Sequence, residues 1–197
     1  KKFNKFLKFN NQIFVGYNRL FYNNISFLKK KINKKKNLNI IVKCPEDNKK
    51  GILTNSCHVF SILTFLLGKL SIKKVVKNEK FINCWLNDRN NNSIYITFNF
   101  QSSDNFSIEI FQKKTKYLLS PIENLKIYSG INYRIFRNNK LYYPKEIKNI
   151  NEYKFNNFKP GFYRQSINFK EFLKGKKILN NIKFSKQIIS LIEKIIF

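Results

Sequence analysis

The sequence contains no alanine and no methionine, one histidine and one tryptophan, and only six glycines, four prolines and three cysteines in 197 residues. Each scarcity excludes something. Cys44, Cys57 and Cys84 are odd in number and share no C-x-x-C spacing, so neither a disulfide framework nor a zinc site is written into the chain, and a reducing compartment suits it. His58 has no cysteine or carboxylate at helical ligand spacing and reads as a helix histidine rather than a metal ligand or an acid–base group. The longest apolar run, Val59 to Leu67, is about half the ~20 residues that a membrane-crossing helix needs, and Ser61 and Thr64 interrupt it. A phosphate-cradling loop requires a glycine five residues ahead of the Gly68-Lys69 pair, where Leu63 stands, which excludes a P-loop hydrolase.

Acidic residues are scarce as well: 11 stand against 39 basic ones, for a formal net charge of +28. A compact body with that charge repels itself and calls for a polyanion, for which nucleic acid is the usual answer. Nearly all the cations are lysine; only Arg19, Arg89, Arg134, Arg137 and Arg164 are guanidinium. The surplus of Asn, Lys, Ile and Phe is a codon signature of an AT-rich genome, such as an organellar one. Of the carboxylates, Glu46 and Asp47 adjoin in a loop, and glutamates such as Glu79, Glu146 and Glu171 lie within two residues of a lysine, which reads as local charge compensation. No nucleophile elbow or metal-ligand pair appears. Catalytic residues, cofactors and metals are therefore expected to be none.

What is present is apolar substance: 43% of residues are hydrophobic and 21 are Phe, enough to build a core. Phe21, Ile25, Leu28 and Ile32 share one helical face. The stretch Asn37 to Lys43 reads as a buried strand closed by Pro45, and a second helix runs from Thr54 or Ser56 to Leu67, with Gly68 as its C-cap. A basic strand follows at "KLSIKKVVK", then a long polar excursion from Lys77 to Asn92, then the strand Ile94 to Phe100. Asp104 is expected to cap a helix carrying Phe106, Ile110, Phe111 and Leu118, ended by Pro121. "IYSGINYRIF" and "FYRQSINF" read as strands, and Ile188, Leu191, Ile192, Ile195 and Ile196 form the apolar stripe of a closing helix. This order predicts an α+β fold, a ferredoxin/RRM-like antiparallel sheet with helices packed on one face and basic extensions. Residues 1–18 are read as a basic, aromatic arm and 19–197 as a single domain.

Basic and aromatic residues interleave in "KKFNKFLKF", "YRIFRNNKLYYPK", "YKFNNFKPGFYRQ" and "KKILNNIKF", the mixture that meets phosphates and stacks on unpaired bases. From Arg19 to Phe197 the order of patterns resembles large-subunit ribosomal protein five, the central-protuberance protein that binds 5S ribosomal RNA. "YNNISFLKKKINKKKNLNIIVK" resembles that family's first helix and strand, "VFSILTFLLGKLSIKKVVK" its second helix, turn and basic strand with Leu67, Gly68 and Lys69 at the turn, and "ISLIEKIIF" its closing helix. "SPIEN" at Ser120 to Asn124 replaces the family's arginines.

The resemblance implies a non-enzymatic constituent of a mitochondrial large ribosomal subunit, located in the organelle matrix. It implies as partners ribosomal RNA, with 5S RNA where the particle has one, neighbouring ribosomal proteins, a small-subunit protein across the intersubunit bridge and P-site tRNA, with no membrane. Lys69, Lys73, Lys74 and Lys77 would contact RNA phosphate, with Arg134 and Arg137 as secondary contacts. The excursion between Lys77 and Asn92 would be the tRNA-side loop, with Lys80, Trp85 and Arg89 at its tip. The alternatives are a relative of small-subunit ribosomal protein eight, suggested by "EKFINCW" followed by "IYITFNF", an organellar maturase or nuclease fragment, and a peripheral membrane protein held by its basic amphipathic ends.

Overall fold

The computed structural model describes residues 5–9, 12–32, 35–154, 158–179 and 181–197. Parts of the expected amino-terminal arm, of the lysine-rich turn after Ile32 and of two basic-aromatic stretches lie outside the described residues. The elements are α1 (Asn23–Ile32), β1 (Asn39–Pro45), α2 (Lys49–Thr54), α3 (Ser56–Leu67), β2 (Ser71–Lys77), β3 (Phe81–Asn87), β4 (Ser93–Asn99), β5 (Ser107–Gln112), β6 (Thr115–Leu119), β7 (Asn124–Phe136), β8 (Asn139–Asn151), α4 (Phe162–Leu173) and α5 (Ile182–Ile196). One eight-stranded sheet runs in the order β2-β3-β4-β1-β5-β6-β7-β8. Among the described strands only β1 and β4 are parallel; every other pair is antiparallel.

That single parallel pair follows from connectivity. The chain leaves β1, passes through α2 and α3, enters the sheet at edge strand β2 and returns through β3 to lay β4 beside β1, the kind of long crossover that parallel neighbours require. Period-2 alternation sorts the strand residues: Ile40, Val42, Cys44, Ile82, Cys84, Ile94, Ile96, Phe98, Ile108 and Ile110 are buried under the helices, and the residues between them form the other face. Helix α3 is apolar nearly all round because it lies between the sheet and the other helices; Phe60 stacks on Phe98 with ring centroids 6.1 Å apart. Gly68, at φ 86°, ends it as expected. Lys29 of α1 donates to the carbonyls of Phe65 and Leu66 at 2.7 and 3.0 Å, placing a cation on the negative end of α3.

The α+β class, the mostly antiparallel sheet and the helices on one face agree with expectation; the eight strands in this order exceed the ferredoxin/RRM-like arrangement. Three local expectations are corrected. The polar excursion between Lys77 and Asn92 is largely strand β3, whose Ile82, Cys84 and Leu86 alternate into the core. The helix expected from Asp104 to Pro121 is the hairpin β5–β6, turning at Lys113 with φ 52°; Ile108 and Ile110 share a buried face at period 2, which outweighs the coincidental helical spacing of Phe106 and Ile110. "FYRQSINF" is part of α4 rather than a strand, started by Gly161 at φ 81°.

Candidate functional site

At the carboxyl ends of the two parallel strands the chain opens a crevice of about 540 Å³ lined by Pro45, Glu46, Asp47, Phe100, Phe106 and the polar run from Gln101 to Asn105. A smaller hollow of about 180 Å³ adjoins it and adds Lys43, Thr97 and Asn99. The carboxyl ends of parallel strands are where open sheets place ligands, because the chain must leave the sheet there in opposite directions. Here β1 departs into α2 at Glu46, and β4 departs into the loop 100–106.

Each wall has a local cause. Asn48 caps α2, its Oδ1 accepting from the amides of Lys50 and Gly51 at 2.9 and 3.2 Å. Glu46 is buried; its carboxylate accepts from the Ser56 hydroxyl and, at 3.2 Å, from Asn55 Nδ2. Gly51 lies so close that a Cβ there would press into the Glu46 carboxylate. Asp104 is held by Lys43 at 3.5 Å. The Arg19 guanidinium lies 5.6 Å from the centre of the Phe106 ring and 3.9 Å from Glu123 Oε1, which also accepts from the Tyr22 hydroxyl at 3.1 Å.

Near Arg19, on α3, sits His58. Burial, and then the nearby Arg19 charge, lower its pKa from 6.5 to about 4, so the ring is neutral at pH 7. It meets Tyr17 edge to face at 5.8 Å, and its Nδ1 and the Arg19 Nη1 are buried nitrogens without hydrogen-bond partners in the structure. Burial raises the Cys57 thiol to about 11 and the Cys84 thiol to about 12, so these thiols are protonated rather than reactive thiolates at pH 7.

The sequence-predicted residues are not brought together here. Lys69, Lys73, Lys74 and Lys77 belong to β2 and the turn before it, at the sheet edge, with Lys73 in a β-bulge between Ile72 and Lys74. Lysines on an exposed edge strand also prevent edge-to-edge pairing. Lys80 lies in the β2–β3 turn, Trp85 within β3 and Arg89 in the β3–β4 turn, so they form no loop tip. Arg134 lies on the projecting β7–β8 ribbon at the far end of the sheet, and Arg137 in its turn at φ 46°. Conversely, Glu46 and Asp47, which read from sequence as solvated charge compensation, and Asp104, which reads as the cap of a helix that does not form, line the crevice. The signal that could have found them was position: each follows a strand that the alternation had located. Among the described residues no group of three His, Cys, Asp or Glu side chains is arranged to hold a metal.

No protein-family model and no curated relative matches the chain. The fold has counterparts among solved structures. A dehydrogenase from Clostridium difficile aligns over 93% of this chain with 19% identity and a TM-score of 0.68. Levoglucosan dehydrogenase, in complex with NADH and levoglucosan, aligns over 96% with 12% identity and a TM-score of 0.68. UDP-N-acetylglucosamine 3-dehydrogenase from Acidithiobacillus ferrooxidans aligns over 91% with 10% identity and a TM-score of 0.56. The chain spans 61%, 65% and 59% of those three chains respectively. These likenesses overturn the resemblance to large-subunit ribosomal protein five and, with it, the expected structural role in a ribosome. They overturn equally the expected rRNA, ribosomal-protein and tRNA partners and the expectation of a chain outside enzyme chemistry. The basic strands and closing helix that suggested the resemblance occur here in a different, eight-stranded sheet.

The NADH of one such structure does not fit the described residues of this chain. A dinucleotide fold binds its pyrophosphate on a glycine-rich turn at a helix N-terminus within a parallel sheet. Here the strand-to-helix turn after β1, Glu46 to Asn48, has no glycine, and beside Gly51 in the first turn of α2 the buried Glu46 carboxylate occupies the space.

Proposed function

We propose that this chain is the sugar-holding α+β part of an oxidoreductase of the Gfo/Idh/MocA sugar-dehydrogenase type, its dinucleotide bound by protein outside the residues described here. The observation that carries the reading is the crevice at the carboxyl ends of β1 and β4. In a chain with 39 cations and 11 carboxylates, Glu46, Asp47 and Asp104 line this one opening together with Ser102, Ser103, Gln101 and Asn105. Carboxylates and amides accept and donate to vicinal hydroxyls, and the Phe100 and Phe106 rings offer apolar surface to the C–H face of a pyranose. The likeness to dehydrogenases with sugar substrates supports the same class of ligand.

The chemistry of this chain's own residues is then binding and orientation. Asp104, held by Lys43, and Asp47 receive hydroxyl protons in hydrogen bonds, and the loop from Phe100 to Phe106 limits access of water.

Isothermal titration of the full chain with a panel of hexoses, anhydrosugars and nucleotide sugars tests this. Saturable binding of at least one panel member is expected, weakened about tenfold or more by Asp104→Asn or Gln101→Ala, losses of the size of one or two hydrogen bonds. A folded chain that binds none of them overturns the reading.

A further inference from the structure

The stretch "YRIFRNNKLYYPK", Tyr133 to Lys145, forms the outer part of the β7–β8 ribbon. Beyond Gly130 the two strands pair with each other and with no third strand among the described residues, over roughly 20 Å at the rise of an antiparallel strand. A bulge with Gly130 at φ 75° separates this part from the sheet, the kind of irregularity that bends a strand out of its plane. We infer that the ribbon is a membrane-docking arm, which rests in the headgroup layer of an anionic phospholipid bilayer. The arm shares no residue with the crevice and does not depend on what the crevice binds.

Both faces of the ribbon are apolar and open. Pairing puts Ile131, Tyr133, Ile135 and Tyr142 on one face, 51–69% exposed, and Phe136, Leu141 and Tyr143 on the other, 41–56% exposed. A protein partner laid on a ribbon covers one face and leaves the other wet, whereas a lipid–water interface surrounds both faces and the turn. The free backbone edges fix the depth: unpaired N–H and C=O groups do not enter hydrocarbon, so the arm lies where water and phosphate oxygens meet them. Tyrosine favours that level, with its ring toward the acyl chains and its hydroxyl in water. Ile131, Ile135 and Leu141 are aliphatic and offer no ring on which a base could stack, which separates lipid from nucleic acid as the occupant.

Charge sets the sign of the surface. From Asn124 to Lys145 there is no carboxylate, and the arm carries Arg134, Arg137, Lys140 and Lys145, with Lys126 and Lys148 following toward the sheet. At its base the β5–β6 turn adds Lys113 and Lys114, which with Lys116 line a hollow of about 230 Å³ beside Ile131 and Pro144. The anions at this end are Glu109, paired to Lys116 at 2.6 Å, and Glu146, opposite Tyr128. Lys140 lies over the Tyr133 ring at 5.0 Å and Arg137 over the Phe136 ring at 5.3 Å, so a cation can reach lipid phosphate while the ring beneath it meets the acyl boundary. Basic residues beside a bilayer add attraction to anionic lipid, and the same excess opposes a second copy of the arm.

Co-sedimentation of the full chain with sucrose-loaded vesicles tests this. Vesicles of phosphatidylcholine with about 30% phosphatidylserine should bind it about tenfold or more tightly than pure phosphatidylcholine. The pair Ile135→Ser with Phe136→Ser keeps every charge and should weaken binding about tenfold. The pair Arg134→Gln with Arg137→Gln should weaken it about as much, whereas Lys73→Gln with Lys74→Gln, which removes the same charge from β2, should do so by less than about threefold. All these side chains except Ile72's neighbour in the bulge lie on open strands and all are exposed, so far-ultraviolet dichroism should not change. If the apolar variant does not fold, Phe136→Trp decides: its added emission should shift to the blue with anionic vesicles, and an unshifted emission overturns the proposal. A chain that ignores anionic vesicles, whether or not it retains RNA or dimerises, a folded apolar variant that binds as before, or equal losses from the β2 and ribbon pairs would each overturn it as well.

Discussion

The Tyr22 hydroxyl donates to Glu123 Oε1 at 3.1 Å across 101 positions of sequence, and Arg19 approaches the same oxygen at 3.9 Å. One carboxylate in the turn between β6 and β7 thereby ties down the segment that leads into α1. The neighbouring turn does likewise: Glu152, buried, accepts from the Asn24 amide at 2.6 Å and from Asn23 Nδ2 at 3.2 Å, placing a negative charge at the N-terminus of α1. Burial, then the Glu123 charge, raise the Tyr22 pKa, so the phenol remains a donor at every physiological pH.

Tyr22→Phe should therefore cost about 1.5–3 kcal/mol, the size of a hydrogen bond to a charged acceptor. Glu123→Gln should cost more, because the Arg19 guanidinium loses its counter-charge while half-buried. Urea denaturation of the two variants checks the order; equal stabilities would refute it.

Stability should fall with acid through His58. Its pKa in the folded chain, about 4, lies below the ordinary 6.5, so the unfolded chain takes up the proton first as pH drops. The contribution is complete above about pH 6.5 and is lost progressively between about 6.5 and about 4; at most it is about 3 kcal/mol, reduced by the ring's partial solvent contact. His58→Gln should flatten the dependence of the denaturation midpoint on pH within that window, and an unchanged slope would assign it to other groups.

Gly51→Ala should destabilise, against the usual gain of up to about 1 kcal/mol for this exchange in a helix. The added methyl displaces the Glu46 carboxylate from Ser56 and Asn55. A thermal midpoint below that of the unaltered chain, together with weakened sugar binding, is the expected pair of results.

Phe98→Ala should cost about 3–5 kcal/mol, since the ring is fully buried, stacks on Phe60 and leaves a cavity between sheet and helix. Trp85→Ala, on the open face, should change monomer stability by less than about 1 kcal/mol. Comparing the two by urea denaturation separates the two faces of the sheet.

Several elements were legible in the chain because their cause is local. The spacing of Phe21, Ile25, Leu28 and Ile32 announced α1, the alternation from Ile94 to Phe100 announced β4, Gly68 announced the end of α3, and the isoleucine stripe announced α5. The hairpin β5–β6 reads as a helix in sequence because Phe106, Ile110 and Phe111 satisfy a helical period as well as a strand period over so short a stretch; cross-strand pairing with β1 decides between them. Strand β3 reads as a polar loop in sequence because its outward positions, Asn83, Trp85 and Asn87, are polar or amphipathic, as one face of an antiparallel sheet should be.

Composition and periodicity by themselves determined the charge, the reduced thiols, the α+β class and the helices that close over one face, since each depends on residue type or on neighbours within a few positions. The tertiary structure alone decided that β4 lies parallel to β1, for that pairing depends on where a crossover of some fifty residues returns. With it came the crevice at their ends and the gathering of Glu46, Asp47 and Asp104 from two distant loops, because long-range strand order is set by closure of the whole sheet and not by any segment within it.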